Sequence, residues 1–295
     1  GATVNLNAAV NFGSGITTIG NNTYLQINSG GSVSTNAPAY HSGSTLVYNQ
    51  GGTLSTSTEW VANATSGVGV PGNVLIGNGV NTTLNFGASA QYRYAASNVQ
   101  ISASSALTLS TAAGGNLQLG GNFVNGGTFT HNSRDVIFNG SSAQQITGAT
   151  TFHNVTLNNS SGLTLNNAVT VANVLTMTAG NITLGANNLT LSNTATGAIT
   201  GTFSSSRMII TNGNGQLIRA IATGGLPITY NYPVGDNTGT VEYSPASFVF
   251  SANGSSRNIG VRVVDSNHPQ LNNAPTQSDY LSRYWAISNS AASTY

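Results

Sequence analysis

The sequence predicts an all-β protein: a right-handed parallel β-helix with rungs of about 19–23 residues, followed by an antiparallel β-sandwich. Three observations carry this reading. Apolar residues alternate strictly over very short runs, those runs recur at a nearly fixed step, and charge is almost absent until about residue 203.

The alternation comes first in the chain and in the argument. Val4-x-Leu6, Leu25-x-Ile27, Val74-x-Ile76, Leu84-x-Phe86, Leu117-x-Leu119, Val155-x-Leu157 and Leu163-x-Leu165 each place two apolar side chains on one face of an extended segment. Gly, Asn or Ser punctuates the runs, as expected of short half-buried strands. No i, i+3, i+4 pattern persists long enough for an ordinary helix.

The recurrence turns generic β structure into a coil. At a step of 21, Val4, Leu25 and Leu46 align, as do Leu6, Ile27 and Tyr48, then Phe12, Val33, Leu54 and Leu75, and Ile19, Tyr40 and Val61. Further on the step is 19: Leu117, Val136, Val155 and Val174 form one series, and Ile146, Leu165, Leu184 and Phe203 another. Between them, Leu84 to Leu107 and Phe86 to Leu109 hold a step of 23. Strands this short and this evenly spaced do not read as two-residue hairpins. They read as strands stacked on their equivalents one turn later, about 4.8 Å apart. The handedness follows the twist preference of parallel crossovers. The predicted core is Val4, Leu6, Leu25, Ile27, Leu46, Leu54, Leu117, Val136, Val155, Leu165 and Leu184.

Polar composition fits the same coil. Seven Arg, six acidic residues and no Lys make the chain 4% charged, against about 25% in ordinary soluble domains. In-register stacking would set repeated like charges side by side, whereas stacked Asn side chains hydrogen-bond to one another. Asn158, Asn159, Asn166, Asn167, Asn187 and Asn188 are the expected ladder residues, and Asn and Gly also suit the left-handed corners. The net charge of +1 provides no basic stripe for nucleic acid. No apolar run approaches a membrane span. With no cysteine, disulfides and thiolate chemistry are excluded.

Nine of the thirteen charged residues and five of the seven prolines follow Phe203. The coil is therefore assigned to 1–203 and a sandwich-like capping or linking module to 204–295, with longer strands such as Gln216–Ala222 and Asn258–Val264 separated by Asn-Gly and Gly-Asp-Asn turns. Such a module would cover the open edge of the last rung. The chain stops at Tyr295 just after a strand, and Gly1-Ala2 reads as a trimmed or mature start, so a segment of a longer protein is expected.

Particular stretches resemble a known class. Tyr232-Pro233-Val234-Gly235-Asp236, Val261-Arg262-Val263-Val264-Asp265, His268-Pro269 and Asp279-Tyr280-Leu281-Ser282-Arg283-Tyr284-Trp285 do so together with Gly121–Phe129 and the Val-Thr-Leu-Asn-Asn repeat. These resemble the large secreted β-strand-repeat surface proteins of Bacteroidota, adhesins and filaments exported by the type IX system. The resemblance implies an extracellular or cell-surface location. It also implies a structural or adhesive role as a rigid scaffold for surface attachment or filament assembly. The partners it implies are other modules of a longer chain, the secretion machinery, glycans or identical subunits. The family's C-terminal sorting domain has no counterpart here.

Candidates for chemistry are few. Paired carboxyls for glycoside hydrolysis would have to come from Glu59 and Asp135, 76 positions and nearly four rungs apart, so no enzyme is predicted. The competing class is an extracellular carbohydrate-binding or polysaccharide-degrading β-helix. Exposed aromatics would serve it: Trp60 is the surface candidate, and Tyr92 and Tyr94 flank Arg93 with both rings on one face, expected inward or toward a groove. Gly67-x-Gly69-x-x-Gly72 contains Pro71 and opens no helix, so it is read as a turn. The histidines are scattered, without metal-ligand spacing. No cofactor is required. Asp236, Asp265 and Asp279 are the residues that would offer oxygen ligands to Ca²⁺, a hard cation; an ion-pair network of Arg262, Arg283 and Asp265 around Tyr284 and Trp285 is the favoured alternative.

Overall fold

A computed structural model describes residues 1–270 and 281–290. Strand accounts for 46% of the chain and helix for 2%, so the all-β expectation is met, and the fold is a β-solenoid of about 11 turns. No helix among the described residues is long and apolar enough to cross a membrane.

One 12-stranded sheet runs the length of the coil. It begins at Thr3–Leu6 and gains a parallel strand with each turn: Tyr24–Asn28, Thr45–Asn49, Asn73–Ile76, Val99–Ile101, Phe123–Asn125, Gln144–Thr147 and Leu163–Leu165, then Ile182–Thr183, Ile209–Ile210 and Val234–Asp236. The register places Val4, Leu25, Leu46, Val74, Val99, Phe123, Ile146 and Leu165 in a single column. Within each strand the alternation does what period two demands: Leu25 and Ile27 are buried, while Gln26 between them faces outward. Every rung thus spends its backbone N–H and C=O groups on the rungs beside it.

A second sheet stacks Arg93–Ala95, Leu117–Leu119, Asp135–Phe138, Thr150–Asn158, Val169–Ala179, Leu189–Leu191 and Leu217–Ile221, all parallel. A third, of four strands, holds Gly52–Ser55, Thr82–Asn85, Ala106–Thr108 and Thr128–Thr130. Their inner faces meet in one core. Phe123 packs edge-on against Phe129 and Phe152, with ring centroids 5.2 and 5.4 Å away. At the corners Asn22, Asn63 and Asn132 adopt φ of 54°, 54° and 46°, left-handed geometry that asparagine tolerates.

Most of the aligned residues stack as the repeat implies. Leu6, Leu25, Ile27, Leu46, Leu117, Val136, Val155, Leu165 and Leu184 are buried. Several details differ, each for a local reason. The rungs extend beyond 23 residues, because Leu46 pairs with Val74, 28 positions on, the chain between them making an excursion after Gly52–Ser55 that folds back onto the core. That excursion breaks two series. Leu54 pairs with Leu84 rather than stacking on Leu75 and is only half-buried, and Val61 hydrogen-bonds to Gly69 instead of following Tyr40. Val4 heads its column but is 39% exposed, being covered by a rung on one side only. A β-bulge shifts the partner of Val155 from Val174 to Leu175. The rung after Ile182–Thr183 is Ile209–Ile210, so Phe203 does not continue the series through Leu184.

Parallel pairing does not stop at residue 203. It continues through Ile209–Ile210, Leu217–Ile221 and Val234–Asp236. Antiparallel strands then extend the coil's own sheets: Glu242–Tyr243 adds to the long sheet, and Arg257–Val264 followed by Tyr284–Asn289 adds to the second. Ile228–Tyr232 and Ala246–Phe250 form a separate antiparallel pair. Among the described residues these strands form no independent sandwich; the antiparallel part is built onto the last turns.

Candidate functional site

The excursion between Leu46 and Val74 carries the first candidates. Trp60, expected at the surface, is fully buried. Its indole Nε1 donates to the Tyr94 carbonyl at 2.9 Å, and its ring meets Phe86 edge-on at 5.5 Å. Glu59 turns inward beside it and is 2% exposed. Glu59 Oε1 accepts from Ser57 N at 2.7 Å and from Tyr48 Oη at 2.9 Å, while its main-chain oxygen accepts from Tyr40 Oη at 2.9 Å. The Ala62 bridge to Arg93 and the Asn63 N–H bond to the Tyr92 carbonyl tie the excursion to the next rung. The fold-back buries an apolar indole together with the carboxylate next to it.

Tyr92 and Tyr94 reverse the expected polarity. Both rings lie on the outer face, half-buried, and Arg93 between them points into the core. Arg93 Nη2 donates to Thr56 Oγ1 at 2.9 Å, and the guanidinium lies 6.0 Å from the Phe86 ring centroid. Burial raises the Glu59 carboxyl above its ordinary value, against the lowering effect of the Ser57 and Tyr48 hydrogen bonds and of Arg93. Burial lowers Arg93, opposed by Tyr48 and Glu59. Glu59 Oε2 and Arg93 Nε and Nη1 have no hydrogen-bond partner among the described residues. Glu59 therefore sits inside the coil, whereas Asp135 belongs to an outer ladder.

That ladder runs along successive rungs of the second sheet. Asp135 N donates to Asn116 Oδ1 at 3.0 Å, and Asn154 Nδ2 donates to Asp135 Oδ1 at 2.7 Å. Asn173 Nδ2 donates to Asn154 Oδ1 at 2.8 Å, and Asn193 Nδ2 to Asn173 Oδ1 at 3.1 Å. Of the asparagines singled out in the sequence, Asn166, Asn167, Asn187 and Asn188 bond from rung to rung, but to partners other than asparagine. Asn159 is buried and donates to Gln144 Oε1 at 2.9 Å, Asn166 bonds Gln145 and Thr147, and Asn187 donates to the Leu165 carbonyl at 2.8 Å. The 19-residue step from Asp135 to Asn154 to Asn173 was the available signal for the true ladder.

Two histidines that looked unrelated in sequence are neighbours: the rings of His131 and His153 lie 5.5 Å apart. His131 Nδ1 accepts from Ser133 N at 3.1 Å, and burial, then His153, lowers its pKa.

In the carboxyl-terminal turns, Asp236 and Asp265 border one small cavity of about 160 Å³, shared with Thr238, Arg262 and the Asn212-Gly213 turn. Asp236 is buried and accepts from Thr238 N at 2.6 Å, so its carboxylate caps its own turn. Arg262 Nη1 donates to the Gly213 carbonyl at 3.4 Å. No cluster of three or more metal-ligating side chains occurs among the described residues, and Asp279 lies outside them. The ion pair formed among the described residues joins Arg283 to Glu242, not to Asp265. Arg283 Nη1 also donates to Ser244 Oγ at 2.7 Å, and Trp285 Nε1 to the Ser244 carbonyl at 2.9 Å, which anchors the last strand.

Arg219 had no sequence signal. It is 1% exposed, donates to the carbonyls of Asn231, Ala195 and Thr196 at 2.8, 3.1 and 2.7 Å, and lies 5.0 Å from the Tyr230 ring centroid. It clasps the Thr196–Ala198 turn to the antiparallel pair. The chain matches no protein-family model, no curated protein and no solved structure.

Proposed function

We propose that this chain is a rigid scaffold of a secreted cell-surface protein, serving surface attachment or filament assembly in the manner of the type IX-exported adhesins of Bacteroidota. The observation that supports this reading is the unbroken register of the long sheet, in which eight successive rungs from Val4 to Leu165 stack in one column. A rod of eleven turns at about 4.8 Å per rung is about 50 Å long. Neighbouring turns share both a row of backbone hydrogen bonds and a continuous core, so bending the rod strains many contacts at once. Its outer faces carry few charges and many Asn and Thr side chains, which suit many weak contacts along an extended surface.

Immunoelectron microscopy of intact producing cells tests the location. Label on the outer envelope, together with reduced attachment when the protein is deleted, supports the reading. Label confined to the cell interior, or attachment unchanged by deletion, overturns it.

A further inference from the structure

Where parallel pairing gives way to antiparallel pairing, the outer face of the second sheet carries a groove of about 380 Å³. That volume lies within the ~300–1,000 Å³ range of small-ligand sites. The groove crosses four strands: Leu189–Leu191, Leu217–Ile221, Arg257–Val264 and Tyr284–Asn289. Amides and hydroxyls dominate its lining, no charged side chain takes part, and Ile218 supplies an apolar patch among them.

The hydrogen bonds within the groove have a consistent direction. Asn188 Oδ1 accepts from Gln216 N at 3.0 Å, and Gln216 Oε1 accepts from Ser288 Oγ at 2.6 Å. The protein thus uses the carbonyl ends of these two amides and leaves both NH₂ groups without a partner among the described residues. The Asn258 side-chain amide and the Thr190 hydroxyl likewise have no partner among the described residues. Gly260 keeps the space between Gln216 and Ser288 open: a Cβ there would stand 2.4 Å from Gln216 Oε1 and 2.5 Å from Ser288 Oγ.

We propose that this groove binds an uncharged glycan chain. A sugar hydroxyl both donates and accepts, which matches unspent amide NH₂ groups beside the Asn258 side-chain carbonyl and the Thr190 hydroxyl. The C–H face of a sugar ring would rest on Ile218. Among the lining residues an acidic glycan would find no cationic side chain to offset the desolvation of its carboxylates. The inference is independent of the scaffold reading, since it concerns one face of the folded chain wherever the chain resides.

The test is affinity electrophoresis of the purified protein through native gels containing soluble glucomannan, mixed-linkage β-glucan, xyloglucan or dextran, with polygalacturonate as the charged comparison. Titration with oligosaccharides of the retarding polymer then measures the affinity. Retardation by at least one neutral polymer is expected. Asn188→Ala combined with Asn258→Ala should weaken it about tenfold, and Gly260→Val should abolish it. Asn166→Ala, an exposed amide on the other long sheet, should leave it unchanged, and thermal unfolding of each variant checks that the fold is retained. The proposal is overturned by no retardation by any neutral polymer, by retardation with polygalacturonate alone, or by retardation that the Asn188/Asn258 pair does not affect. A groove variant that instead changes the oligomeric state on light scattering, with polymer retardation intact, also overturns it in favour of a self-association surface.

Discussion

Asn173 donates from Nδ2 to Oδ1 of Asn154 at 2.8 Å, and Asn154 in turn donates to Asp135 at 2.7 Å, so side chains 19 residues apart hold successive rungs together outside the core. The relay depends on each asparagine carrying both a donor and an acceptor. Asn154→Asp removes the donor facing Asp135 and sets two carboxylates one rung apart. Urea denaturation at pH 7 should show a loss of about 1–2 kcal/mol, combining a lost hydrogen bond with like-charge repulsion. The loss should shrink in 1 M salt, which screens the repulsion between the two carboxylates. A loss independent of salt would mean that the ladder is not electrostatically coupled.

Glu59 predicts a pH dependence. Burial raises its pKa in the folded chain above the ordinary 4.5. A group raised on folding binds its proton more tightly in the native state. Its contribution is therefore fully present below the unfolded pKa and is lost as pH rises through the folded one. Across that window, from about 4.5 upward, the wild type should lose stability relative to Glu59→Gln, with the two profiles converging in acid. Melting temperatures of both proteins between pH 4 and pH 8 measure this, and parallel profiles would contradict it.

Burial of Trp60 is directly observable by fluorescence. In Trp285→Phe the remaining tryptophan should emit at short wavelength and resist quenching by iodide, because its indole is fully covered and its N–H is bonded to the Tyr94 carbonyl. Quenching close to that of free indole would place Trp60 on the surface.

The aromatic core around Phe123 should be costly to hollow out. Phe123→Ala leaves Phe129 and Phe152 without their shared partner and should cost about 3–5 kcal/mol in chemical denaturation. A cost under 1 kcal/mol would mean that the rungs do not share a packed interior.

What was legible in the sequence was whatever repeats. Alternation and step together identified the coil, and columns such as Val4, Leu25 and Leu46 or Leu117, Val136 and Val155 needed nothing beyond counting. Counting failed where the chain leaves the repeat. Between Leu46 and Val74 a 28-residue rung moved Leu54 onto Leu84, and the same excursion drew Glu59 and Trp60 inward. Tyr92 and Tyr94 were misplaced because alternation shows which residues share a face but not which face is inside. At Arg93 the inward position holds a cation steadied by Thr56 and Phe86. The composition shift after Phe203 was real, yet charge and proline mark the change to antiparallel pairing less sharply than the strands themselves, which stay parallel to Val234–Asp236. The amide groove was out of reach altogether, since Gln216 and Ser288 meet across 72 positions with no repeat relating them.

The central claim is the stacking of rungs, and distance measurement between spin labels tests it most directly. The chain has no cysteine, so labels can be introduced cleanly at Gln26 and Thr147. The register links them through Val47, Leu75, Gln100 and Val124, five rungs apart. Pulsed electron–electron resonance should give a narrow distribution centred near ~24 Å, five spacings of about 4.8 Å. A broad distribution, or a centre displaced by more than about two such spacings, would contradict the coil.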